Sequence, residues 1–305
     1  MMCEDKLFYR AMPKDAGKRL ESVLRKELEL SGSMIKMLKY NGGLLINGNT
    51  ARTVDLLAED DLVTVRLNVT DKITEAAPED IPIEILYEDK AIIAVNKPSG
   101  MVVHTTCLHQ SGTLSNALAF HMQKQNITGS IHPVSRLDKD TCGVVLFARN
   151  GYVQEHLKKQ GQTGQFRKIY YGICSPVPSE PAGIIDLPIK RAPDTIMLRT
   201  VSEDGARAVT EYRTILLIDN DMALVEFILH TGRTHQIRVH TSHLGFPLAG
   251  DNLYGGRQLP GIQLSGQALF AGKMSFTHPV TKEKLCIEAP FPQWWPEKYE
   301  TVSLS

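Results

Sequence analysis

The chain has no apolar stretch approaching the ~18 residues that cross a bilayer. It has no C-x-x-C pair and no excess charge of either sign: 34 Lys plus Arg face 34 Asp plus Glu over 305 residues. The first absence excludes a membrane-spanning helix. The second, with five scattered cysteines (Cys3, Cys107, Cys142, Cys174 and Cys286), counts against a disulfide framework or a zinc knuckle and fits reduced thiols. The third argues against a polycation that simply coats nucleic acid, while leaving local basic patches open. The opening MMCEDKLFYR lacks the apolar core of a secretory signal, and no internal repeat or low-complexity tract is present. A cytoplasmic protein is expected.

With 42% hydrophobic residues the chain can bury a substantial core, and its length fits about two domains. The charged, aperiodic segment DKITEAAPEDIP reads as a linker over 71–82. It separates a small unit, 1–70, from a large one, 83–297, with a tail at 298–305. In the small unit Leu20, Val23, Leu24 and Leu28 fall at helical spacing, as do Ile35 and Leu38 after a break at Ser31-Gly32-Ser33. The turn Asn41-Gly42-Gly43, the hairpin signal Asn47-Gly48-Asn49 and an alternating run from Leu62 to Leu67 follow. Two short helices and a small sheet are predicted. The large unit reads as short strands over 83–87, 91–95, 144–148, 168–174, 208–218 and 223–230, with a helix capped by Thr113 and carrying Leu114, Leu118 and Met122. Strands dominate without regular helix alternation, which predicts an α+β class with a mixed, mostly antiparallel sheet and flanking helices.

The most informative stretch is Ser135–Gly143, SRLDKDTCG. It sets Asp138 between Arg136 and Lys139 on the loop that enters an apolar strand. Flanking cations favour the charged form of a carboxylate, and an ionised, positioned aspartate is a nucleophile or a base. A second charged motif, Gly232–His240, GRTHQIRVH, places Arg233 at a strand-to-helix turn, where a guanidinium can grip a carboxylate in fork geometry. Its histidines, with His243, lack the H-E-x-x-H spacing and a completing Cys or Glu. No metal is expected.

These motifs carry a resemblance. The order SRLDKDTCG, then RKIYYGI, then GRTHQIRVH, then Pro247-Leu248-Ala249-Gly250-Asp251-x-x-Tyr254-Gly255, with Asn96-Lys97-Pro98-Ser99-Gly100 upstream, is similar to the RluA-type pseudouridine synthases over roughly 83–290. Several motifs in the right order are specific where a lone R-L-D is not. Ser135 stands where the family commonly has His, and Cys142 where Ser is common. The small unit resembles the αL-motif RNA-binding fold named after the fourth small-subunit ribosomal protein, through Gly43-Leu44-Leu45-Ile46-Asn47-Gly48. It carries Ser31-Gly32 where Ser-Arg is usual, and Lys18, Arg19, Arg25, Lys36 and Lys39 are its candidate basic face.

The resemblance implies isomerisation of a uridine within structured RNA, with no cofactor required; ribosomal RNA is expected ahead of transfer RNA, and a monomer is expected. The glycosidic bond breaks, the uracil turns, and it rejoins through ring carbon five. Asp138 is then the essential carboxylate, acting covalently or by removing a sugar proton. Arg136 fills the gap left by the extruded nucleotide. Tyr170 stacks on the base and is a candidate proton acceptor, Arg233 pairs with Asp138, and Ile237 packs beneath the base. Tyr171 belongs on the opposite face of its strand. Cys142 reads as a small buried thiol rather than a nucleophile. The rival reading is an RNA-binding accessory protein without turnover. An aspartate-nucleophile hydrolase is disfavoured, because no second carboxylate accompanies Asp138 in these motifs.

Overall fold

A computed structural model describes residues 5–67, 76–106, 109–127, 130–193, 195, 197–259 and 264–295. Residues 71–75 of the expected linker, the expected tail, Cys3 and Cys107 lie outside them. The small unit comprises β1 (Lys6–Arg10), α1 (Leu20–Lys26), α2 (Gly32–Tyr40), β2 (Leu44–Ile46), β3 (Asn49–Thr50) and β4 (Leu62–Arg66). Its sheet runs in the order β1-β4-β2-β3. The two helices and the hairpin fall where periodicity put them, whereas β1 is an addition. Ser31, expected as part of a break, is the N-cap of α2 and accepts a bond from the Met34 amide.

The large unit adds β5 (Glu84–Glu88), β6 (Ile92–Lys97), α3 (Leu114–Lys124), β7 (His132–Pro133), β8 (Cys142–Ala148), α4 (Gly151–Gln162) and β9 (Arg167–Cys174). It continues through β10 (Ala182–Asp186), β11 (Ile189–Arg191), β12 (Arg199–Val201), β13 (Val209–Leu217), β14 (Ala223–Leu229), α5 (Gln236–His243), β15 (Leu269–Thr277) and β16 (Lys284–Glu288). Its main sheet is ordered β10-β13-β14-β9-β15-β8-β6-β5, with β16 on β15 and β7 on β8. Strands β8 and β15 pair in parallel, and the remaining described pairs of this sheet are antiparallel. The class is α+β with a mixed sheet. Among the described residues no helix is long and apolar enough to cross a membrane.

Both faces of the sheet are covered, which is why β8 reads as an unbroken apolar run and not as an alternation. Val144 and Leu146 join a cluster that reaches Leu20, Leu24 and Leu38, so the small unit packs on this back face. Val145 and Phe147 join the front cluster with Phe227, Ile237 and Tyr170. Tyr171 turns the other way, toward Phe270 and Trp295.

Where β8 meets β15 the chain must be glycine. Gly143 has φ +109°, and a Cβ there would lie 2.3 Å from the Ala271 carbonyl oxygen. This contact anchors the end of the Asp138 loop. Lys97, fully buried at the end of β6, holds the start of the neighbouring turn. Its ammonium donates to the carbonyls of Pro98, Met101 and Lys139, each at 2.8 Å. Burial pushes its pKa down to about 8, against the pull of Cys142, Asp140 and Asp138. Three acceptors demand three N–H donors, so the ammonium form is the one held at neutral pH. Ser99 Oγ donates to the Asp140 carbonyl at 2.9 Å, and Gln267 Nε2 to Thr141 Oγ1 at 2.8 Å. The loop is fixed at three successive residues, Lys139, Asp140 and Thr141.

Two outcomes follow for stability. Gly143→Ala combines left-handed strain with a backbone clash and is expected to cost roughly 3 kcal/mol or more; urea denaturation with a wild-type midpoint would refute it. Lys97→Met orphans three carbonyls and is expected to lower the unfolding free energy by a similar amount, about 3 kcal/mol or more, read from the same titration.

Candidate active site

One cleft of about 530 Å³ opens on the front face of the sheet and is lined by Arg136, Asp138, Tyr170, Arg233 and Ile237 together. Residues almost a hundred positions apart converge because the loop before β8, the middle of β9 and the start of α5 meet at one sheet end. Asp138 sits on the turn closed by the Thr141 N–H bonding to its carbonyl. Ile237 is buried in the floor, and Arg136 is exposed at the rim. Lys158 and Lys168 also face the cleft. Its cations outnumber its carboxylates, which suits a polyanion.

The geometry corrects the expected partner of Asp138. Arg238 Nη1, not Arg233, reaches Asp138 Oδ2, at 3.2 Å. Arg233 is exposed, and its Nε donates to the Arg207 carbonyl at 2.9 Å. The reason is where α5 begins. Gln236 Oε1 accepts from the Arg233 amide and from Thr231 Oγ1, closing the turn before the helix starts. Arg233 is therefore left on the rim. Arg238, within the first turn of α5, is carried on a wholly buried stretch, Gln236–Thr241, toward the Asp138 loop.

Arg238 has a second and tighter partner. Its Nε and Nη2 donate to the two oxygens of the buried Asp251 at 2.7 and 2.8 Å. Its guanidinium also lies 5.0 Å over the Tyr254 ring. Burial favours the neutral form of Arg238, but the Asp251 bonds and then Asp138 outweigh it and raise its pKa. One cation thus faces two carboxylates, and the cluster Asp138–Arg238–Asp251 keeps a formal charge of −1. Asp251 and Arg238 both stand in motifs already singled out, but the burial of Asp251, which demands a cation, is seen only in the structure.

The remaining groups fall into place chemically. Burial, then the nearby Asp138, pushes the Tyr170 phenol up, so it is protonated at neutral pH and offers a ring face and an O–H donor rather than a phenolate. Burial pushes the Cys142 thiol up to about 11, against Lys97, which makes it a packed side chain. His240 bonds Thr210 Oγ1 and the Leu187 carbonyl, each at 2.9 Å. Among the described residues no group of three His, Cys, Asp or Glu is placed to hold a metal ion.

Known proteins resemble this chain in sequence and fold. Residues 91–243 match the family model described as RNA pseudouridylate synthase. An uncharacterised RNA pseudouridine synthase of Bacillus subtilis, YjbO, is 36% identical over 268 residues, 88% of this chain and 93% of that protein. The ribosomal large subunit pseudouridine synthase D of Xanthomonas campestris is 38% identical over 290 residues, 91% and 87% of the two chains. The solved structure of human RNA pseudouridylate synthase domain containing 4 superimposes with a TM-score of 0.55 at 27% identity, covering 69% of this chain and 89% of its own. Family model and relatives converge: this chain belongs to the RluA-type RNA pseudouridine synthases, a family of isomerases.

Proposed function

We propose that the protein converts uridines of ribosomal large-subunit RNA to pseudouridine in the cytoplasm, with Asp138 as the catalytic carboxylate. The observation that carries this reading is the Arg238 bridge: a carboxylate in a basic cleft, aimed by a cation whose charge is already matched by Asp251. Asp138 is oriented without being neutralised, which is what a nucleophile or a base at the ribose requires. Ribosomal RNA is favoured by the likeness to relatives named as large-subunit synthases.

The other cleft groups then have work to do. Ile237 and the Tyr170 ring form an apolar slot for the extruded uracil, and Arg136 at the rim enters the space it leaves. Arg233 contacts phosphate and does not hold Asp138. On the small unit, Arg25 is paired with Glu21 at 2.8 Å and Lys18 with Asp15 at 3.1 Å, so part of the expected basic face is already neutralised. Arg19, Lys36 and Lys39, without ion pairs among the described residues, are the positions offered to RNA.

The test is tritium release from ring carbon five of labelled ribosomal RNA. Asp138→Asn is expected to reduce turnover by about a thousandfold or more while RNA binding persists. Equal release by both proteins would end the assignment, and release by neither would favour the non-catalytic binder. Arg238→Ala is expected to lose turnover nearly as completely. Arg233→Ala is expected to weaken RNA binding about tenfold and to flatten its salt dependence by roughly one phosphate contact, with the rate at saturating RNA retained.

A further inference from the structure

His235 has no role in the reading so far, yet it occupies a costly position. It is the N-cap of α5 with φ +57° and ψ 22°, left-handed values that cost an L-residue more than a glycine. Its side chain caps no helix amide. Asparagine or glycine would take that backbone conformation at lower cost, so capping does not explain the imidazole.

The ring instead bridges the cleft. Its Nδ1 lies 2.8 Å from Tyr254 Oη, and its Nε2 lies 3.9 Å from Asp138 Oδ2. Tyr254 Oη accepts the Arg199 N–H at 2.9 Å, and we assign its own proton to Nδ1. That assignment leaves the imidazole proton on Nε2, facing the carboxylate. Burial pushes the His235 pKa down; Arg238 and Arg199 act the same way, and Asp138 and Asp251 oppose them. The ring is neutral at neutral pH and has one donor to give. Arg238 Nη1 bonds the same oxygen, Oδ2, and no donor among the described residues reaches Oδ1.

We propose that His235 is a positioning residue for the isomerisation, its Nε2–H closing onto Asp138 Oδ2 when a nucleotide fills the cleft and leaving Oδ1 as the oxygen that meets the ribose. Bonds of this kind are commonly long in an empty site and tighten in the complex. A neutral second donor suits the purpose, because it fixes the carboxylate without cancelling the negative charge that Arg238 and Asp251 leave on it. This role rests on Asp138 being the catalytic carboxylate.

The test compares His235→Asn, His235→Gln and Asp138→Asn in single-turnover tritium release at saturating RNA, with thermal melts of each protein. The Asn amide reaches only as far as Nδ1, whereas the Gln amide nitrogen can occupy the place of Nε2. His235→Asn is expected to melt no lower than wild type, since Asn accepts left-handed backbone, and to react about 10- to 100-fold more slowly, the worth of a hydrogen bond to a charged group. His235→Gln is expected to regain most of that rate. A His235→Asn rate within about twofold of wild type, or equal losses in the Asn and Gln proteins, would overturn the proposal. Turnover by Asp138→Asn would instead overturn the assignment of the carboxylate itself.

Discussion

A single guanidinium shared between two carboxylates is the constraint around which the site is built. Asp251 is buried and takes two bonds from Arg238, while Asp138 takes one on the same cation. Removing a buried charge from water is expensive, and a pair repays it only with good geometry and few unsatisfied atoms. The two-pronged Asp251 contact supplies that repayment. The Asp138 contact can then be weaker and asymmetric, leaving one oxygen open to the cleft. Had Arg238 served Asp138 alone, the pair would have been neutral and less reactive; had Asp251 been missing, a buried cation would have lacked its main counterion.

The sheet gives this cluster its rigidity. Asp138 stands on a loop whose carbonyls and hydroxyls are tied to Lys97, Ser99 and Gln267, and whose exit is pinned by the close approach of Gly143 to Ala271. Hydrophobic layers cover both faces of β8, so the loop cannot shift without disturbing a packed core. The cleft above it is polar and basic where β8, β9 and α5 meet. Tyr254 joins the two halves of the arrangement, with its ring under Arg238 and its hydroxyl on His235.

Much of this was legible in the residues. Apolar runs and alternation located β5, β6, β8, β9, β13 and β14 closely, because strands buried on one or both faces must be apolar in that pattern. The Thr113 cap opens α3 as expected, with Asn116 completing the capping box. Other elements left weaker marks. Helix α4 has only Tyr152, Val153 and Leu157 buried and a polar remainder, so its period is diluted. The sequence KLFYR of β1 is too short to announce a strand without β4 beside it. On the candidate basic face of the small unit, Lys18 and Arg25 are already paired, with Asp15 and Glu21, at the i,i+3 and i,i+4 spacings that a helical reading exposes.

The motifs by themselves fixed the chemistry on offer: an aspartate in a strand-entering loop, a tyrosine one face away from its neighbour, and two arginines in one charged motif. Composition and spacing specify residue types and periodic faces, so they determined the class of fold and the set of groups that meet. Which arginine holds Asp138 depended on where α5 begins and which of its sides faces Asp251. That is decided by bonds between residues distant in the chain, through the Gln236 turn and the buried Asp251, and no local pattern encodes it.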